Sequence, residues 1–257
     1  MKTPEDEARR IFGERAALYT TSAAHTDAQV LAKVVALSAL EPSWSVLDIA
    51  TGAGHTAFAL APYVASVIGT DLTPAMLEEA KRLRSDRTIT NVEFCLADVH
   101  ALPFAERTFN LITCRRAAHH FSHITHALRE MSRVLGAAGR LVVDDRSVPE
   151  DDFVDDCMNE LDRYHDESHV RQYRLSEWRR MLEENGFTVE ETEAYTKHRP
   201  LTSLTDGVPQ ENVQKIHETL NQLNAQQREA LNLREVDGQL YLNHWYVMIS
   251  AYVLNDS

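Results

Sequence analysis

The sequence predicts an α/β fold: a doubly wound, mostly parallel sheet with helices on both faces. Three observations predict it. Short, nearly continuous apolar runs that carry an acid at or near their end recur, as in SVLDIA (45–50) and ASVIGTD (65–71), the pattern of strands buried on both faces. Stretches of helical periodicity separate these runs over roughly 120 residues, which implies right-handed β-α-β crossovers. The first strand leads into VLDIATGAGHT (46–56), a small-residue turn before a helix.

The elements come in order. DAQVLAKVVALSAL (27–40) places Val30, Val34 and Leu37 at helical spacing behind Asp27, a capping residue. After the strand at 45–50, HTAFALAPYV (55–64) puts Ala57, Leu60, Ala61 and Val64 on one helical face. Beyond the strand at 65–71, Thr73 and Pro74 read as a cap and first helical position, with Met76, Ala80 and Leu83 facing inward. NVEFCLAD (91–98) and FNLITCRRA (109–117) are the third and fourth strands, and HITHALREMSRVL (123–135) is the next helix. Gly136 and Gly139 bracket a turn into the fifth strand, RLVVDD (140–145). An amphipathic helix is expected over 150–166, its acidic start favoured by the helix dipole. Another is expected over 176–186, with Ser176 as its cap and Gly186 as its stop. FTVEETEAY (187–195) alternates as a strand, 211–233 is helical, and LYLNHWYVMISAYVL (240–254) is apolar on both faces, as an internal strand would be. No repeat or linker divides the 257 residues, so one domain is expected.

Composition narrows the function. The 44% apolar and 25% charged residues are ordinary for a globular protein. A net charge of -13 repels phosphates and argues against a nucleic-acid or anionic-membrane partner. MKTPEDEARRIF lacks the apolar core of a signal peptide, and no apolar run reaches the ~20 residues of a membrane span. Cys95, Cys114 and Cys157 are dispersed, which suggests a reducing cytoplasm and buried thiols.

The turn Gly52-Ala53-Gly54-His55-Thr56-Ala57 fits G-x-G-x-x-A, a shape that lets backbone approach a ligand and opens a helix N-terminus toward it. Three acids sharpen that reading. Asp48 sits at the end of the first strand, four residues before Gly52. Asp71 ends the second strand, 19 residues after Gly52, where an acid can accept from a ribose diol. Asp98 ends the third strand beside Val99 and suits an adenine: the carboxylate accepts from the exocyclic amine and the valine packs on the ring. Taken singly, each acid is an ordinary helix cap or loop residue. A nicotinamide-dependent oxidoreductase also fits the glycine pattern, but neither YTTSA nor AYTKH supplies the Tyr-x-x-x-Lys arrangement with a catalytic serine.

The ordered series LDIATGAGHTA, GTDLTPAMLEEAK, CLADVHALPF, FNLITCRRAAHHF and AAGRLVVDD resembles class I S-adenosylmethionine-dependent methyltransferases. The resemblance is to the small-molecule branch that includes the ubiquinone/menaquinone C-methyltransferases. It covers about residues 10–145, and RYHDESHVRQYRLSEWRRMLEENGF (163–187) resembles the segment after the fifth strand in a subset of that branch. The resemblance implies a Rossmann-like, seven-stranded sheet whose last strand is antiparallel and inserted between its neighbours. It divides the domain into a helical segment (1–40), a cofactor-binding core (41–145), substrate-cap segments (146–186 and 197–235) and last strands (187–196 and 239–254).

The same resemblance implies S-adenosylmethionine as methyl donor and S-adenosylhomocysteine as product, with no metal. Ala50, Thr51, Gly52 and Gly54 would line the methionine part. Asp71 would hold the ribose, Leu72 and Met76 would lie against the adenine, and Asp98 with Val99 would recognise the base. Arg115 would border the methionine moiety, Asp48 would organise the loop, and Tyr19 would close over the cofactor. His165, His169, Arg171 and Tyr173 would orient a polar acceptor.

His120, just beyond the fourth strand, is the candidate general base, with capping or packing as its plainer reading. The twelve histidines show no metal-ligand spacing. The expected activity is methyl transfer to a small organic acceptor in the cytoplasm, with a homodimer left open. The alternative is a cofactor-binding domain of this fold repurposed for other chemistry or regulation.

Overall fold

The computed structural model describes residues 3–253; residues 1, 2 and 254–257, including Leu254 at the end of the expected last strand, lie outside them. Helices α1 (Pro4–Tyr19), α2 (Ala23–Thr26) and α3 (Ala28–Leu37) precede an alternation of β1 (Ser45–Ile49), α4 (His55–Leu60), β2 (Ser66–Asp71), α5 (Pro74–Asp86), β3 (Val92–Leu96), β4 (Phe109–Arg115), α6 (Ile124–Val134) and β5 (Leu135–Val148). Then come α7 (Asp152–His165), β6 (Tyr173–Arg174), α8 (Leu175–Glu184) and β7 (Phe187–Pro200). The short α9 (Thr202–Thr205), α10 (Gln210–Asn221), α11 (Ala225–Ala230) and β8 (Arg234–Val236) lead to β9 (Gln239–Val253).

The sheet runs β3-β2-β1-β4-β5-β9-β7. β1 through β5 are parallel, whereas β9 pairs antiparallel with both β5 and β7 and so lies between them. That is the inserted antiparallel last strand the family resemblance implies. β6 adds a two-residue parallel pairing beside β5, and β8 forms a hairpin with β9.

Alternation within the strands builds two cores. On one face Val46, Val67, Leu111, Val142 and Met248 meet α3 and α4. On the other, Leu47, Ile112, Leu141, Val143 and Ile249 meet α6 and α8. Each fully buried aliphatic side chain contributes about 1.5–3 kcal/mol, and both faces are covered, as a parallel sheet requires. A third cluster packs α7 against α10 through Leu161, Met158, Ile216 and Leu220, with Leu242 of β9 beneath them.

Local chemistry corrects several expectations. The helix expected over 211–233 is two helices, because Asn224 accepts from the Gln227 N–H at 3.0 Å while its own N–H donates to Gln227, which starts α11 afresh. Ser176 is not the cap of α8; Arg174 occupies that position, and Glu177 accepts the Arg174 N–H, while Ser176 donates to Glu150. Thr73 does stand at the N-cap of α5 with Pro74 next in the chain, but its side chain makes no cap bond. The turn at Gly136–Gly139 survives as a loop-out inside β5, whose register with β4 jumps from Leu135 to Arg140. The last part of the expected cap segment 146–186 belongs to the core: Trp178, Met181 and Leu182 of α8 are buried under the sheet.

Candidate active site

The carboxyl ends of the parallel strands open into a cleft with about 1020 Å³ of empty space, counting its mouth. The residues just beyond each strand supply its wall: Ala50–Ala53 after β1, Asp71–Thr73 at the end of β2, Ala97–His100 after β3 and Arg115–Ala117 at the end of β4. This is where open α/β sheets place ligands. Helix α1 closes the cleft, bringing Phe12 and Tyr19 over it.

The loop after β1 is shaped by its own polar contacts. Asp48 is buried and accepts from the Thr51 hydroxyl at 2.6 Å and the Thr113 hydroxyl at 2.7 Å. Burial pushes its carboxyl up to about 6 against the pull of those two hydroxyls. Ala50 and Gly52 both adopt left-handed backbone, with φ of 50° and 53°. A Cβ on Gly52 would meet no heavy atom within 4 Å, so the backbone there borders open space in the cleft.

Gly54 differs from its expected role. It does not line the cleft; it starts α4 in a left-handed conformation, and a Cβ there would come within 2.8 Å of Phe58.

Asp71 ties the two loops together. One oxygen accepts the Gly52 N–H at 2.9 Å and the other the Thr73 N–H at 2.8 Å. Burial raises its pKa, and these backbone donors oppose the shift. Leu72, Met76 and Val99 line the neighbouring wall, with Met76 and Val99 buried. Asp98 accepts from both the N–H and the ring Nδ1 of His100.

Arg115 is a buried cation on the cleft wall. Its Nε donates to Thr56 at 2.8 Å and one terminal nitrogen to the His25 carbonyl at 2.7 Å, while its Nη1 is buried with no partner. An unpaired buried guanidinium N–H costs roughly 1–3 kcal/mol or more; a carboxylate in the cleft would relieve it. The donor, the open space at Gly52 and the acid pair Asp71 and Asp98 together suit an amino-acid nucleoside.

A second cavity, with about 690 Å³ of empty space, adjoins the first and shares Phe12, Tyr19, His25, Arg116 and His120 with it. His120 sits on a short 3-10 turn, its Nδ1 held 3.0 Å from the Ser168 hydroxyl and its ring edge-on to Phe12. Tyr19 is buried enough to push its phenol up to about 12.

Of the four expected acceptor residues, His165 and His169 line this cavity and Arg171 and Tyr173 line neither. Arg171 turns instead to Asp155 and Glu177, and Tyr173 packs edge-on against Trp178. The segment 197–235, expected as a roof, adds only Arg199 to the cavity walls; α10 and α11 brace α7 from behind.

Sequence reading missed several wall residues. His119 is held by Asp145, which accepts its backbone N–H at 3.0 Å and pairs with its Nδ1 at 2.5 Å. Burial favours the neutral form of both, lowering the histidine and raising the acid to about 6. Arg116, next to Arg115 in CRRAAHH, was within reach of a motif reading. Phe12, His25 and Arg199 were not, because only folding brings those distant positions together.

Residues 40–186 match the model of a methyltransferase domain family. The chain is 38% identical over 184 residues to the uncharacterized methyltransferase YcgJ of Bacillus subtilis, covering 72% of this chain and 73% of that relative. The crystal structure of YcgJ shares the fold with a TM-score of 0.83 at 32% identity, over 88% of this chain and 98% of that one. A Bacillus halodurans structure carrying the methyltransferase name gives 0.84 at 32% identity, over 88% and 99%. UbiE of Zymomonas mobilis, a ubiquinone/menaquinone C-methyltransferase, is 38% identical over 95 residues, covering 37% of this chain and 39% of its own length. Sequence and architecture agree over more than half of the chain, which belongs to the methyltransferase domain family and is an enzyme of S-adenosylmethionine-dependent methyl transfer.

Proposed function

We propose that the protein moves a methyl group from S-adenosylmethionine to a small organic acceptor by in-line displacement. The observation that supports this most is the pairing of two adjoining cavities, one carrying the unpaired Arg115 N–H and the acids of the strand ends, the other walled by histidines. In this reading Arg115 takes the methionine carboxylate. Asp71 accepts from the ribose with lone pairs its two backbone donors leave free. Asp98, with Val99, Leu72 and Met76, receives the base. When bound, the cofactor supplies an electrophilic methyl on a sulfonium.

The chain's part is alignment and exclusion of water, which in favourable cases is worth about 7–11 kcal/mol of the barrier. Phe12 and Tyr19 close the cleft at the junction of the two cavities. Where the acceptor atom bears a proton, His120 takes it at Nε2, since its Nδ1 is tied to Ser168. His120→Ala is expected to slow turnover and leave cofactor affinity intact; an unchanged rate would remove His120 from the chemistry.

The direct test is thermal stability of the purified chain with S-adenosylhomocysteine, S-adenosylmethionine and NADH. At a hundredfold excess over Kd a native-state ligand adds about 2.7 kcal/mol, a rise of roughly 5–10 °C for a domain of this size. The first two ligands should give it and NADH should not. Transfer of labelled methyl into an acceptor then separates an active transferase from a domain that only holds the cofactor.

A further inference from the structure

The second cavity brings three arginines together from three strands of the sheet: Arg116 after β4, Arg146 on β5 and Arg199 on β7. Their charges are not consumed equally. Arg116 donates from Nε to Asp144 and from one terminal nitrogen to Tyr195, and its plane lies 3.8 Å from the Tyr246 ring centre. Arg146 pairs with Asp162 at 2.6 Å and with His244. Arg199 has no carboxylate within ion-pair distance among the described residues; the one hydrogen bond of its side chain is a 3.5 Å contact to the Tyr246 hydroxyl.

Of the acids facing the cavity, Asp162 is fully committed and Asp166 only in part. Asp162 accepts from Arg146 with one oxygen and from Gln172 with the other, whereas Asp166 accepts the Ser168 N–H and hydroxyl with one and the same oxygen, which leaves its second oxygen without a protein donor among the described residues. His25, His165 and His169 add no charge: burial, reinforced by the neighbouring arginines, lowers the pKa of His165 and His169 and holds His25 down to about 3. Two kinds of group remain unanswered in this space: the second oxygen of Asp166, beside Ser168 and His120, and guanidinium N–H. Arg116 Nη1 and the Nε and Nη2 of Arg199 have no protein acceptor, and neither residue contributes to the buried unpartnered atoms, so these donors face open space. Around them the walls are flat rings, with Phe12 and Tyr19 at the junction with the cofactor cleft and Tyr246 at the arginine end.

We propose that the second cavity binds the methyl acceptor and that this acceptor is a planar small carboxylate, its anion held by Arg199 with Arg116 and its reacting atom directed to the junction at Tyr19 and His120. A guanidinium matches a carboxylate with two parallel hydrogen bonds, and Arg199 is the guanidinium with the most donors to spare. The inference rests on the reading of the first cleft as the cofactor site, so the experiment carries an arm for each.

Calorimetry on the full chain would first measure S-adenosylhomocysteine. With that ligand saturating, it would then measure acetate, benzoate, 4-hydroxybenzoate and indole-3-acetate against their amides, for the native sequence and Arg199→Gln. The expected result is that at least one aromatic carboxylate binds ten times or more tightly than its amide, and that Arg199→Gln removes this preference while S-adenosylhomocysteine affinity stays within threefold. Equal binding of acids and amides, no binding of any carboxylate to the loaded protein, or a preference that survives Arg199→Gln would overturn the proposal and leave the cofactor reading standing. Failure of S-adenosylhomocysteine to bind would overturn both.

Discussion

Asp48 is held between two hydroxyls and is 1% exposed, and its carboxyl is raised from 3.8 to about 6 by burial. The folded chain therefore keeps this proton up to about pH 6, whereas the unfolded chain releases it near pH 4. Ionisation of Asp48 costs stability progressively as pH rises from about 4 through 6, by about 2–3 kcal/mol in all. Asp48→Asn should gain that amount relative to the native sequence between pH 4 and pH 7 in denaturant melts without ligand; a flat difference would show that the carboxylate ionises freely in the fold. Asp71 carries the opposite kind of risk. Its removal strands the Gly52 and Thr73 N–H groups, so Asp71→Ala should lose cofactor binding and also about 1–3 kcal/mol of stability. At Gly52 a side chain has space but the backbone does not favour it: φ is 53°, and Gly52→Val should fill the ligand's room at a strain of about 1–3 kcal/mol. Calorimetry with S-adenosylhomocysteine beside a melt separates the two effects in each variant.

At the scale of elements, the helices divide by which cluster they serve. α6 and α8 press the sheet from one side, α3 and α4 from the other, and α7 with α10 and α11 forms the third cluster, which carries one wall of the second cavity. Asn224 decides where α11 begins, by the reciprocal bonds with Gln227. Asn224→Ala should cost about 1 kcal/mol, read by chemical denaturation, with no change in cofactor affinity because neither α10 nor α11 reaches the cleft. A fall in affinity would mean that the third cluster positions α7 closely enough to govern the cleft as well.

At the scale of the whole molecule, the sheet is the platform and the site is an edge of it. Leu128 of α6 is 1% exposed beneath β4 and β5. Leu128→Ala should cost about 2–5 kcal/mol and leave S-adenosylhomocysteine affinity within a small factor at temperatures where the protein stays folded. Loss of binding in the folded variant would show that packing on that face sets the positions of the strand ends. The closing elements behave differently, since α1 lies far from the strand ends in sequence yet supplies Phe12 and Tyr19 to both cavities.

The sequence by itself determined the alternating α/β architecture, the loop after β1 and the acids at three strand ends. Each of these is written in a local pattern: periodicity of two or 3.6, a glycine at a tight turn, an acid closing an apolar run. Family resemblance added the antiparallel insertion of β9, which the two-sided apolar run at 240–254 matches. Tertiary structure decided the rest. Arg171 and Tyr173, adjacent to the expected acceptor histidines, turn away because Asp155, Glu177 and Trp178 lie on the other side of the chain. His25, Arg146 and Arg199 enter the second cavity from positions that no spacing relates. A charge's neighbours across the sheet depend on strand order, register and the path of the helices above, and those are properties of the packed chain rather than of any short stretch of it.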